Sequence, residues 1–177
     1  MLFSYSMKKI AIAGASGFVG TNLIPFLLQD YAVRALSRSA KKSNTPNLEW
    51  TPVELFSTSS TIKALKDIDV AVYLVHSMLP SSRLFQGDFH DTDLLLADNF
   101  ARACRKNNVQ RIIYLGGLVP EGYISPHLQS RQEVEDVLKD SGIPVTVLRA
   151  GMVVGPGGSS FEILRSLVKK LPLMILP

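Results

Sequence analysis

The 177-residue chain contains one cysteine, one tryptophan and three histidines, and each scarcity closes off an option. Cys104 has no second cysteine to bridge, so packing must hold the fold, and a reducing, cytoplasmic setting is expected. It lies in a helical pattern with Ala101 and Ala103, which suits a small buried thiol rather than a nucleophile. No apolar run approaches the ~20 residues of a membrane span. Met1-Leu2-Phe3-Ser4-Tyr5-Ser6 has no basic region and only a short apolar piece, unlike a signal peptide. Internal repeats and low-complexity linkers are missing too. At 46% hydrophobic and 19% charged, this is ordinary globular material. The net charge of +4 comes from scattered basic residues such as Lys8-Lys9, Arg38, Lys41-Lys42 and Lys169-Lys170. No recognition helix, zinc pattern or aromatic platform accompanies them, so no nucleic-acid partner is expected.

What is present is an alternation of short apolar runs with longer amphipathic ones. Strands are expected at Lys9 to Ala13, Ala32 to Leu36, Leu48 to Trp50, Val70 to Val75, Arg111 to Leu115 and Val145 to Leu148. Helices are expected at Val19 to Gln29, Ser59 to Lys66, Asp88 to Lys106, Leu128 to Ser141 and Ser160 to Lys170. Such β-α succession predicts a doubly wound α/β domain, a parallel sheet with helices on both faces. Residues 1–7 read as a tail and 8–177 as the domain. Ser59-Ser60 suit a helix cap, while Asn107-Asn108 and Gly142 suit helix ends, where a left-handed residue is tolerated. Ligands of such folds sit outside the carboxyl ends of the strands. The positions to watch are therefore Gly14, Ser37, Val53, His76, Gly116 and Ala150.

Gly14-Ala15-Ser16-Gly17-Phe18-Val19-Gly20 joins the first strand to the first helix. A dinucleotide pyrophosphate needs backbone N–H groups aimed at it and no side chain in its way. Gly14 suits the tight turn, Gly17 the close approach of backbone to phosphate, and Gly20 the close packing of helix on strand. The helix N-terminus adds unpaired donors and partial positive charge. The second strand then ends in Leu36-Ser37-Arg38-Ser39, and no acid occupies positions 36 to 43. An NAD site ordinarily places an acid there for the ribose 2′-hydroxyl. A hydroxyl and a guanidinium suit a 2′-phosphate instead, which favours NADP over NAD.

Four blocks together resemble the atypical short-chain dehydrogenase/reductases of the epimerase-like and NmrA-like branch. They are Gly14 to Gly20, Tyr73-Leu74-Val75-His76-Ser77, Tyr114-Leu115-Gly116-Gly117-Leu118 and Leu148-Arg149-Ala150-Gly151-Met152-Val153-Val154-Gly155. The resemblance implies a Rossmann fold whose glycine turn holds the pyrophosphate, with Arg38 on the adenosine phosphate. It places Glu54 and Leu55 where the family usually has an Asp-Leu pair beside the adenine, and Val75, His76 and Ser77 beside the ribose and nicotinamide. His76 equally suits a neutral structural histidine. Redox-active relatives carry a Tyr, and four residues later a Lys, at the start of the helix after strand five. Here His127 and Arg131 fill that frame, and the usual Ser or Thr of strand five is replaced within Gly116-Gly117. The resemblance thus makes His127 the acid/base and Arg131 the ribose anchor, while His127 as a cap or surface residue stays open, as does Tyr123 acting from the loop. An oxidoreductase- or epimerase-like activity on a small substrate and an NADP-sensing module without chemistry both remain possible readings. Extended relatives continue past the sixth strand, whereas this sequence stops at Pro177 after an apolar Leu171 to Leu176; a fragment or a homodimer contact would account for that.

Overall fold

The computed structural model describes residues 7–76, 89–119, 122, 124–155 and 158–170. Within them the chain forms β1 (Lys9–Ala13), α1 (Phe18–Leu27), β2 (Ala32–Ser37), β3 (Leu48–Pro52), α2 (Thr58–Ala64) and β4 (Val70–Tyr73). It continues through α3 (Phe89–Lys106), β5 (Arg111–Gly117), α4 (Pro126–Lys139), β6 (Val145–Ala150) and α5 (Ser159–Lys170). The six strands make one parallel sheet in the order β3-β2-β1-β4-β5-β6. This is the Rossmann arrangement, the α/β class expected from the alternation. The order reverses between β1 and β4, and that switch point opens a crevice beyond their carboxyl ends.

Strand β1 lies at the centre, and its composition follows from being covered on both faces. Its side chains alternate between two cores. Ala11 and Ala13 face a layer containing Tyr73, Phe100, Cys104, Val134 and Leu138. Ile10 and Ile12 face Ile24 of α1 with Val33 and Ala35. Within the first core the Tyr73 ring packs on Phe100 and Tyr114, with centroids 4.9 and 6.2 Å away. Cys104 is fully buried, and burial pushes its thiol pKa far up, in line with an inert core sulfur.

Several boundaries differ from the sequence reading, each for a local reason. Helix α2 starts at Thr58 because the Ser57 hydroxyl, not the Ser59-Ser60 pair, caps it by accepting the Ser60 N–H at 3.3 Å. Helix α4 starts two residues before Leu128: Ser125 is the cap and Pro126 takes the first helical position, where its missing N–H costs nothing. Strand β4 stops at Tyr73 rather than Val75, after the Leu74 N–H has used the last carbonyl of β1, that of Ala13. Strands β5 and β6 outrun it to Gly117 and Ala150 because they still have each other as partners. Asn108 (φ 54°) and Gly142 (φ 77°) take the left-handed conformation foreseen for the ends of α3 and α4. In α1, Pro25 sits on the exposed side, where the lost hydrogen bond is tolerated.

Candidate functional site

The turn from β1 into α1 is shaped by three glycines in three different ways. Gly14 has φ +84°, and a Cβ there would come within 3.0 Å of the Leu74 backbone. The Gly17 N–H closes the turn on the Gly14 carbonyl at 3.0 Å. Gly17 then occupies the N-cap of α1 without a capping side chain, so the N–H groups of the first turn are left for an external acceptor. A Cβ on Gly20 would lie 2.6 Å from Ala15 Cα and from the Gly14 carbonyl oxygen, a distance no side chain can occupy. Ser16 is exposed at the tip of the turn and Ala15 is buried beneath it. Phe18 leans away to meet the loop after β6, where Cβ atoms on Gly155 and Gly158 would approach its ring to 3.0 and 3.1 Å.

The remaining sequence-derived positions line the same edge. Ser37 ends β2, buried, and its hydroxyl donates to the Ser39 carbonyl at 2.6 Å, which leaves its lone pairs as acceptors. Arg38 follows, exposed, with no bonded partner among the described residues. Glu54 is exposed, and its Oε1 accepts the Phe56 N–H at 3.2 Å, while Leu55 packs on the core. Val75 is half-buried against the core and His76 projects at the edge. Ser77 and Tyr123 lie outside the described residues, as do Asp88 and the apolar stretch from Leu171 on.

At the start of α4, His127 is exposed in the second helical position and Arg131 lies one turn on. The Arg131 Nη2 donates to the Leu115 carbonyl at 2.7 Å, so part of its donor fork is committed to β5. Its stem also fills the space left by Gly117, where a Cβ would meet Leu128 Cδ2 at 2.9 Å and Arg131 Cδ at 3.5 Å. Leu128 and Arg131 thus occupy the room that a side chain at position 117 would need. His76 lies within electrostatic reach of both Arg131 and His127. Surrounding protein, then the Arg131 guanidinium and His127, lower the His76 pKa, while Asp93 of α3 works in the opposite sense. The two tyrosines at this edge are unsuited to proton exchange near neutral pH. Tyr73 is fully buried with its pKa raised, and Tyr114 is pushed up to about 12 by burial, its hydroxyl donating to the Arg131 carbonyl at 3.0 Å.

Two features were not read from the sequence. Asn99, on the buried stripe of α3, clamps the turn between β3 and α2. Glu135 of α4 is buried and accepts two hydrogen bonds from Arg149 of β6, at 2.7 and 3.1 Å, plus one from Lys139. Burial raises the Glu135 pKa, but these donors outweigh it and the net shift is downward. A polar residue on the Leu96, Phe100, Ala103 stripe was the available signal for Asn99. For Glu135 the signal was weak, because its partner Arg149 lies 14 residues away.

The sequence profile of the NAD(P)H-binding family matches residues 14–169. The chain belongs to the NAD(P)H-binding family. Its fold is shared with solved epimerases and reductases that are less than 25% identical to it in sequence. Auxiliary protein GraX of Staphylococcus aureus is 30% identical over 111 residues, 62% of this chain and 36% of GraX. The enzyme WbmH of Bordetella bronchiseptica, solved with NAD+, is 23% identical with a TM-score of 0.75, over 93% of this chain and 64% of WbmH. The NADPH-dependent quinone oxidoreductase QOR2 of Escherichia coli, solved with NADPH, is 21% identical with a TM-score of 0.71, over 90% of this chain and 53% of QOR2. The chain spans less than two thirds of the length of each of these relatives. Among the described residues no helix is long and apolar enough to cross a membrane, and no His, Cys, Asp and Glu cluster suits a metal ion.

Proposed function

We propose that this member of the NAD(P)H-binding family takes NADP(H) across the strand ends and serves a reductase- or epimerase-like reaction on a small alcohol or carbonyl. The observation that supports the reaction is the gathering of His76, His127 and Arg131 beyond β4 and β5, with the neighbouring tyrosines withdrawn into the core. When bound, the dinucleotide supplies or accepts a hydride. His127 is the side chain that would hold the exchanged proton. Arg131, anchored on Leu115, keeps its remaining N–H groups for ribose hydroxyls. The NADP preference rests on Arg38, exposed beside Ser37 with no acid near it in sequence.

A second reading, a sensing module without turnover, is favoured by the joint replacement of Tyr, Lys and Ser and by the commitment of Arg131 to β5. The relative GraX carries the name of an auxiliary protein, which fits that reading. Calorimetric titration with NADP and NAD tests the cofactor. NADP should bind more tightly, and Arg38→Ala should reduce that advantage on the order of ten- to hundredfold, the worth of one or two charged hydrogen bonds. Equal affinities, untouched by the substitution, would remove the 2′-phosphate assignment. For the reaction, His127→Ala should abolish NADPH oxidation with a carbonyl panel while leaving NADP affinity intact. Turnover that survives the substitution removes His127 from the chemistry, and no turnover in the parent protein leaves the sensing reading.

A further inference from the structure

Asn99 is a polar side chain in an apolar place, 6% exposed on the face of α3 that carries Leu96, Phe100 and Ala103 into the core. Its amide is fully engaged. Oδ1 accepts the Thr58 hydroxyl at 2.7 Å, and Nδ2 donates to the carbonyls of Leu55 and Phe56 at 3.0 and 3.1 Å. Carbonyl oxygens only accept, so the orientation of the amide is dictated by its partners. Leu55 and Phe56 belong to the turn of residues 53–57 that joins β3 to α2 at the carboxyl edge of the sheet, and Thr58 opens α2 directly after it.

That turn has bonds of its own: Glu54 N–H to Ser60 Oγ at 3.2 Å, Ser57 N–H to the Glu54 carbonyl at 3.0 Å, and Phe56 N–H to Glu54 Oε1 at 3.2 Å. These bonds set its internal shape. They do not set where it stands relative to the crevice. The bonds from Asn99, reaching across 41 to 44 positions of sequence, tie it to α3 and through α3 to the core. The Glu54 carboxylate is held back on the turn by the Phe56 N–H, so its aim depends on the backbone that carries both residues.

We propose that Asn99 is a positioning residue for adenine recognition: by holding the carbonyls of Leu55 and Phe56 it fixes where the Glu54 carboxylate and the Leu55 side chain meet the base. This rests on the NADP(H) reading above. Asn107 provides the contrast within the same helix. Its Nδ2 donates to the carbonyls of Ile62 and Ala103, both at 2.9 Å, and so ties α2 to α3 without touching the turn at the edge.

The test measures dissociation constants of adenosine 2′,5′-bisphosphate and of reduced nicotinamide mononucleotide by ligand-observed NMR, with the full chain. Asn99→Asp replaces the two N–H donors by an acceptor of the same shape. It should weaken adenosine 2′,5′-bisphosphate about tenfold, the worth of one or two neutral hydrogen bonds, and leave the mononucleotide within about twofold. Glu54→Gln should weaken the bisphosphate in the parent protein and add nothing in the Asn99→Asp background, because residues acting through one another are not additive. Asn107→Leu should lower Tm without altering the ratio of the two affinities. Thr58→Val, a milder change to the same clamp, should shift the ratio in the same direction and decides the matter if Asn99→Asp does not fold. An equal loss for both ligands, an unchanged ratio, or an additive Glu54 effect would overturn the role of Asn99 alone. A parent protein that binds neither ligand overturns the dinucleotide reading and this proposal with it.

Discussion

Around β1 the sheet is buried on both sides, whereas at β6 it stands open. Ala11, Ile12 and Ala13 have no exposed surface, and the strand ends feed directly into the glycine cradle. In β6, by contrast, Leu148 is 54% exposed, and along α5 Ile163 is 61% exposed, with Phe161, Leu164, Leu167 and Val168 also exposed. The glycine turn therefore rests on the buried strand that precedes it, while the turn between β3 and α2 is held by Asn99 of α3. The β6 side presents apolar surface that the described residues do not cover, a pattern typical of surfaces that meet something else. The β1 side of the sheet is covered by the described residues, and the β6 side is not.

Mutations can break this contrast or sharpen it. The largest effect belongs to Gly20→Val. With Ala15 and the Gly14 carbonyl 2.6 Å from the first added carbon, the helix must move off the strand, at a cost of about 3 kcal/mol. NADP binding should be lost with it, and urea denaturation together with titration would check both. Next comes a matched pair, Leu36→Ala against Leu148→Ala. Leu36 is 2% exposed, and its truncation should cost about 2–5 kcal/mol, while Leu148→Ala should stay within about 0.5 kcal/mol. Similar losses in the two variants would show that β6 is covered after all.

Smaller effects are electrostatic. Glu135→Gln weakens the clamp from α4 to β6 and should lower Tm by about 2–4 °C at neutral pH. The sign of its pH dependence is definite. The carboxyl is depressed in the folded state, so its contribution is present above the ordinary carboxylate range and fades as pH falls through the depressed folded value. The Tm difference between parent and variant should close under acid conditions. His76 is smallest. Its pKa is lowered on folding from 6.5, so the unfolded chain takes up more protons as pH falls below that value, and stability declines until the folded pKa is passed. His76→Gln should flatten that part of a Tm-against-pH curve, and an unchanged curve would mean that His76 is more open than its neighbours imply.

The fold was legible because period-2 and helical patterns are local, and the glycine turn because backbone geometry is written one residue at a time. The errors cluster where a residue's state depends on something distant. Strand β4 looked longer than it is because Leu74 and Val75 are apolar, yet pairing stops where β1 stops. Ser57 and Ser59 are equivalent as residue types, and only the accepted Ser60 N–H distinguishes them. Asn99 and Glu135 were invisible as partners, since nothing in the sequence says which turn or strand an amide or carboxylate will meet. Arg131 was placed correctly at the start of α4, but its bond to Leu115 depends on the room beside Gly117, a three-dimensional fact.

Cys104 has one more consequence. Sealed in the first core with its thiol kept protonated, it is out of reach of alkylating reagents in the native state, and modification must wait until the surrounding layer comes apart. The rate at which a bulky maleimide finds that lone thiol is thus an intrinsic stopwatch for how often the domain unlocks, already in place in the native sequence.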